Sequence, residues 1–139
     1  MKFIYQDILR FLSDQPSKDD LSKKLFQLGH EHEIDGEIFD VEITPNRGDC
    51  LSLLGLSRDL NSFYKSLNPF DTYEEDIDEL DLNFNNLSVD ACPKISFLEI
   101  EIDEEVIPYK PYLENYFSLL GVNKTNFFAD ISNYISYER

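Results

Sequence analysis

The chain of 139 residues carries 28 acidic and 12 basic side chains, a formal net charge of −16, with 42% hydrophobic and 14% aromatic residues. It is long and apolar enough for one ordinary domain or two small ones with a real core. Its charge argues against a surface that holds a phosphate backbone non-specifically. The imbalance is uneven, with 12 acids against 8 bases in residues 1–65 and 16 against 4 in residues 66–139. No apolar run approaches the length of a membrane span, and the start, with an early Asp7, is unlike a signal-peptide core, so a cytoplasmic protein is expected. Cys50 and Cys92 lack zinc spacing and are too few for a disulfide framework, so they read as free thiols. Cys50 would fall in the first turn of a helix, where a thiol pKa can drop, but no His or Lys adjoins it in sequence to suggest a nucleophile.

In chain order, Phe3, Ile4, Ile8, Leu9, Phe11 and Leu12 recur at helical spacing and predict a short amphipathic helix that ends at Ser13-Asp14-Gln15-Pro16. Ser17 then stands as an N-cap with Asp20 three positions on. Leu21, Leu25, Phe26 and Leu28 would line one face before Gly29 stops the helix. A DNA-reading helix pair would need more basic residues than Lys23 and Lys24, so a packing pair is expected. Asp35-Gly36 is a two-residue hairpin signal, and Phe39, Val41 and Ile43 alternate with Asp40 and Glu42 as a half-buried strand would. His30 and His32, at i, i+2 on a strand, would place both imidazoles on one side. No further ligand stands at a metal-binding spacing, so an ordinary surface pair is expected and no metal is assigned.

The stretch from Glu42 to Leu60 reads as a strand end, a tight turn and a helix. Pro45 fixes φ and forces Thr44 to be extended, Gly48 supplies freedom at the reversal, and Asp49 is placed to cap the helix. Leu51, Leu54, Leu56, Leu60, Phe63 and Tyr64 would bury one face of a long helix that ends at Ser66-Leu67-Asn68-Pro69. Asp71 to Asp81 contains seven acids and no base, the composition of a solvated linker. Leu82, Phe84, Leu87 and Val89 suggest a strand. Ile95, Phe97, Leu98, Ile100 and Ile102 suggest a clearer one, antiparallel to the first. Pro111 suits the first turn of a helix that Gly121 closes, and Asn126 to Glu138 reads as a short strand followed by a helix capped by Asp130. The expected fold is α+β. A small helix-helix-hairpin-helix domain (residues 1–66) leads through an acidic linker (67–81) to a partial antiparallel sheet with helices (82–139).

The string T-P-N-R-G-D-C-L-S-L-L-G-L-S-R-D-L, residues 44–60, resembles the segment that closes the first domain of bacterial phenylalanyl-tRNA synthetase β subunits. There the pattern is T-P-N-R, a small residue or proline, D, a short gap, then L-S, G and R-E-L. The resemblance extends upstream, where the family has two helices and a G-L-E-V-E type segment before an inserted oligonucleotide-binding domain. Here Gly29 to Glu33 reaches Phe39 to Ile43 across only a hairpin turn, which implies a short form without that tRNA-binding insertion. Downstream, Cys92-Pro93-Lys94 and Asp130-Ile131-Ser132-Asn133-Tyr134-Ile135 resemble C-P-R-Y and D-V-T-N-Y-V of the editing domain, with Lys94 for arginine and Ser132 for threonine.

The resemblance implies a non-catalytic N-terminal portion of the β subunit, stopping inside the editing domain and contributing to phenylalanine-tRNA ligation in protein biosynthesis. The expected partners are the α subunit and, through the assembled enzyme, phenylalanine tRNA, with neither DNA nor membrane. ATP and Mg²⁺ would be used by the assembled synthetase, and no cofactor by this chain. No residue is assigned a chemical step. Thr44, Pro45, Asn46, Arg47 and Asp49 would lock the turn and cap the helix. Arg58 would pair with an acid or a neighbouring subunit, and Ser132 and Asn133 would lie at the edge of an editing pocket or simply pack the last helix. Two other classes stay open: a remnant editing hydrolase for misacylated tRNA, and an acidic protein-interaction module without a role in aminoacylation.

Overall fold

The computed structural model describes residues 1–67, 69–70, 76, 78–101 and 108–139, which divide into two compact units, Met1–Phe70 with Tyr109–Arg139, and Asp71–Pro108. In chain order the first unit holds β1 (Lys2–Ile4), α1 (Tyr5–Leu9), α2 (Lys18–Gln27), β2 (His32–Asp35), β3 (Ile38–Val41), a 3-10 turn (Gly48–Cys50), α3 (Leu53–Leu60), α4 (Pro111–Leu120) and α5 (Phe127–Glu138). It is a mixed fold of helices around a small antiparallel sheet of order β1-β3-β2.

The chain opens on a strand where helical spacing predicts a helix. β1 pairs with β3, Phe3 opposite Phe39 and Ile4 opposite Ile38, and this distant partner claims residues whose local pattern suits a helix. On the other side of β3 the hairpin to β2 forms at Gly36-Glu37, with Asp35 opposite Ile38. Gly36 has φ +57, a value that glycine adopts without strain. Phe39 and Val41 are fully buried while Asp40 is exposed, as alternation along a half-buried strand requires.

The start of α2 follows its sequence closely. Ser17 is extended and its Oγ accepts from the Asp20 N–H at 3.2 Å, satisfying one of the amides that a helix start leaves unpaired. Leu21 and Leu25 are fully buried. Phe26, expected beside them, is 71% exposed, because five residues from Leu21 place it ~140° round the helix. These leucines join Phe3, Ile8, Phe11 and Leu12, the sheet residues Phe39 and Val41, and Leu53, Leu56 and Leu60 of α3 in one core cluster.

α3 is shorter than the expected helix, and its buried face is Leu53, Leu56 and Leu60, continued by Tyr64, while Leu51 and Phe63 are exposed. In α4, Pro111 occupies the first turn and Gly121, at φ +65, ends it as expected. α5 begins without a preceding strand, and its cap is Asn126, whose side chain accepts from the Ala129 N–H at 3.1 Å. Asp130, expected as that cap, lies inside the first turn and is 1% exposed. It accepts from the Thr125 N–H at 2.9 Å and the Tyr109 hydroxyl at 2.8 Å.

Helices α4 and α5, grouped with the second half in the sequence reading, pack with the first seventy residues. The Tyr137 hydroxyl accepts the Ile4 N–H at 3.0 Å and donates to Asp7 Oδ2 at 3.3 Å. Arg10 donates to the Tyr134 hydroxyl at 2.9 Å and to Glu138 Oε1 at 3.1 Å. Burial pushes the Asp7 carboxyl up, against the opposing pull of the Arg10 charge. An acid raised in this way binds its proton more tightly folded than unfolded, so its contribution to stability is present at acidic pH and declines as pH rises through the folded pKa. Asp7→Asn is therefore expected to melt with the wild type at acidic pH and above it at neutral pH. Thermal melts across that range check this, and an Asn variant that melts lower at neutral pH contradicts it.

In the second unit, residues 78–101 contain neither helix nor strand, although alternation predicts two strands there. Leu87 is 88% exposed, and the Phe84 and Phe97 rings meet at 4.8 Å without a backbone ladder beside them. A strand pair alone, without a third strand or a helix to cover it, buries too little to hold. Ile102, the last residue of the second expected strand, and Asp71 to Glu75 of the acidic stretch lie outside the described residues. No helix among the described residues is long and apolar enough to cross a membrane.

Candidate functional site

The turn after β3 and the helix that follows it gather the polar side chains of residues 44–60 with one group from upstream. Pro45 and Asn46 are exposed in the turn, which the Arg47 N–H closes onto the Thr44 carbonyl at 2.9 Å. Gly48, Asp49 and Cys50 then form the 3-10 turn, and α3 starts three residues later than expected. Its N-cap is Ser52, whose Oγ accepts from the Gly55 N–H at 3.1 Å. Asp49, expected at that position, points its carboxylate at Arg47 instead, taking Nε at 3.0 Å and Nη2 at 3.1 Å. The bidentate geometry of guanidinium and carboxylate outcompetes the amides of a helix that begins one turn further on.

Gly55 fixes how the turn and α3 meet. A Cβ on it would stand 1.8 Å from the Asp49 carbonyl oxygen and 2.9 Å from the Asp49 carbonyl carbon, so only a glycine admits the backbone of the turn. Gly48, which the sequence suggests is needed for chain reversal, has an ordinary φ and nothing within 4 Å of a Cβ. Arg58 is exposed and donates from Nη2 to the same Asp49 carbonyl at 3.2 Å, so its partner is a main-chain oxygen within the motif.

At the centre is Asp59. It accepts from Arg47 Nη2 at 2.6 Å through Oδ1, and its Oδ2 lies 2.9 Å from His30 Nε2 and 3.6 Å from Cys50 Sγ. Arg47 Nη2 also lies 2.9 Å from that sulfur. Burial acts to raise the Asp59 carboxyl, but hydrogen bonds from Arg47 and then His30 prevail and hold it below the usual carboxylate range. Hydrogen bonding to Asp49 and then Asp59 raises the Arg47 guanidinium further, so it stays charged at any accessible pH. Burial, followed by the Asp59 charge, pushes the Cys50 thiol up to about 11, so it is a protonated and unreactive thiol at neutral pH.

The structure thus brings Arg47 and Asp49 together, and it adds Asp59, Cys50 and His30. His30 lies outside β2, because Gly29 at φ +85 turns the chain and the His30 N–H closes onto the Leu25 carbonyl at 2.9 Å. His30 is 3% exposed and its imidazole is directed at Asp59 of α3, whereas His32 Nε2 meets Ser22 Oγ on α2 at 2.8 Å. The two histidines therefore serve different partners and do not form the surface pair that their spacing suggests. Ser132 and Asn133 are exposed on α5, and the Ser132 carbonyl accepts from Ser136 Oγ at 3.0 Å. Asp59 carried a sequence signal in its R-D-L setting at the end of the motif, while nothing local marks His30 as its partner.

Similarity to known proteins bears on this motif-bearing chain as a whole. Its curated homologues are phenylalanine-tRNA ligase beta subunits. The chain is 29% identical over 138 residues to that of Rhodopirellula baltica, covering 93% of this chain and 20% of the relative. It is 32% identical over 108 residues to that of Rickettsia conorii, 75% of this chain and 13% of the relative. Against that of Psychrobacter arcticus it is 26% identical over 113 residues, 76% of this chain and 14% of the relative. The chain therefore spans a fifth or less of the length of these relatives. No family model matches it. No solved structure matches it significantly.

Proposed function

We propose that this chain is a non-catalytic N-terminal portion of a phenylalanyl-tRNA synthetase β subunit, which contributes to phenylalanine-tRNA ligation by scaffolding and docking. The observation that carries the reading is homology to β subunits across as much as 93% of the chain. The partners follow from it: an α subunit, and phenylalanine tRNA through the assembled enzyme, in which ATP and Mg²⁺ are used. Residues 1–66 correspond to the family's first domain without its inserted module, and residues 82–139 to the opening of its editing domain. The chemistry of the described site favours a scaffold. Arg47, Asp49, Asp59 and His30 are engaged with one another, and the Cys50 thiol beside them is held protonated.

The test is a reconstitution with the synthetase α subunit, phenylalanine tRNA, phenylalanine, ATP and Mg²⁺, with the complete β subunit as the positive control. Aminoacylation is expected with complete β and absent when this chain replaces it. The chain alone is expected to leave tyrosine mischarged onto phenylalanine tRNA intact. Hydrolysis of that ester at a rate proportional to chain concentration would overturn the scaffold reading in favour of a remnant editing hydrolase.

A further inference from the structure

His30, Cys50 and Asp59 offer an imidazole nitrogen, a sulfur and a carboxylate oxygen, all within 4.8 Å of one another. They come from three places in the chain: the exit of α2, the 3-10 turn and α3. His30 and Cys50 are buried and the Asp59 side chain is 20% exposed, so two donors are fixed in the interior and the third borders solvent. One nitrogen, one sulfur and one oxygen donor make a set that suits a borderline-soft, tetrahedral cation, three protein ligands leaving a fourth position for water. The separation of 3.6 Å between Cys50 Sγ and Asp59 Oδ2 is close to what a tetrahedral zinc spans with bonds of about 2.3 Å to sulfur and about 2.0 Å to oxygen. His30 Nε2 lies 2.9 Å from the same oxygen and within 4.8 Å of the sulfur, so a shared cation would draw sulfur and imidazole onto one centre while nitrogen and oxygen part slightly.

We propose that His30, Cys50 and Asp59 form a binding site for a Zn²⁺-class divalent cation, for which the Arg47 guanidinium competes. Arg47 already places a positive charge on two of the three ligands, at 2.6 Å from Asp59 Oδ1 and 2.9 Å from Cys50 Sγ. Its side chain is 31% exposed and also held by exposed Asp49, which remains as its counter-ion when a cation displaces the guanidinium from Asp59. On binding, the metal–sulfur bond forms as the thiol proton passes to solvent, the proton that His30 Nε2 shares with Asp59 leaves that nitrogen by exchange through solvent so that Nδ1 carries the ring proton, the freed Nε2 and Oδ2 each bond the metal, and no oxidation or reduction takes place. The proposal is independent of whether the chain docks onto a synthetase.

The test uses the full chain and Co²⁺, whose thiolate charge-transfer and tetrahedral ligand-field absorptions report sulfur ligation directly. Titration is expected to give both absorptions, saturating at one Co²⁺ per chain and abolished by added Zn²⁺. Cys92→Ser, which removes the exposed second cysteine, is expected to retain the charge-transfer band, Cys50→Ser to lose it, and Arg47→Ala to show it at lower Co²⁺ concentration. His30→Gln is expected to shift the ligand-field bands while the charge-transfer band remains, which keeps the site testable if Cys50→Ser fails to fold. No charge-transfer band in either the wild type or Arg47→Ala would overturn the proposal, as would a band that disappears with Cys92.

Discussion

Gly55→Ala is expected to remove a large share of the stability of the first unit. The added methyl would lie 1.8 Å from the Asp49 carbonyl oxygen, and its next nearest atoms, the Asp49 carbonyl carbon at 2.9 Å and Cys50 Cα at 3.2 Å, are also backbone. No side-chain rotation relieves such a contact, so the 3-10 turn has to move off α3. That movement would break the Arg58 bond to Asp49 and the approach of Cys50 to Asp59. Overpacking of this kind costs about 3 kcal/mol or more, a large share of the roughly 5–15 kcal/mol that holds a domain folded. Gly48→Ala, in the same turn but with open space and an ordinary φ, is expected to change stability by less than about 0.5 kcal/mol. Urea unfolding of the two variants beside the wild type makes the comparison, and equal midpoints would contradict the close approach of turn and helix.

Asp59→Ala is expected to be the second most damaging change, at about 2–3 kcal/mol, because it leaves a buried imidazole nitrogen and a guanidinium without their shared acceptor. Asp49→Ala, which removes an exposed carboxylate, should leave the unfolding midpoint nearly unchanged. The Asp59 carboxyl is held below its ordinary pKa, so its contribution is fully present above the unfolded carboxylate value and is lost as pH falls through the lower folded one. Acidification should therefore lower the wild-type midpoint more than that of Asp59→Asn. Parallel pH dependences would show that Asp59 does not couple the turn to α3 and His30.

How much of this was legible depended on how local each cause is. The Ser17 cap and the left-handed Gly121 are decided within a turn of the chain, and both appear where the residues place them. β1 was hidden because Phe3, Ile4 and Ile8 satisfy helical spacing, while the partner that makes the first of these a strand, β3, lies more than thirty residues away. The cap of α3 went to Ser52 because Arg47 takes the Asp49 carboxylate, a competition between two plausible acceptor roles that spacing cannot rank. Asp59 and His30 are 29 residues apart, and their meeting depends on Gly29 turning the chain out of α2. The alternation of residues 82–100 had the opposite failing, since a strand pattern without a neighbouring ladder or cover carries no strand. The resemblance in residues 44–60 identified the relatives, but not which of its side chains lean on one another.

The measurement that tests the central claim most directly is co-purification of the untagged chain on an immobilised phenylalanyl-tRNA synthetase α subunit from the same organism, with complete β subunit as competitor. Stoichiometric retention that complete β displaces is the result a docking portion of the β subunit requires. Failure to bind under conditions in which complete β binds would contradict the scaffold account and leave an acidic interaction module with a different partner as the better description.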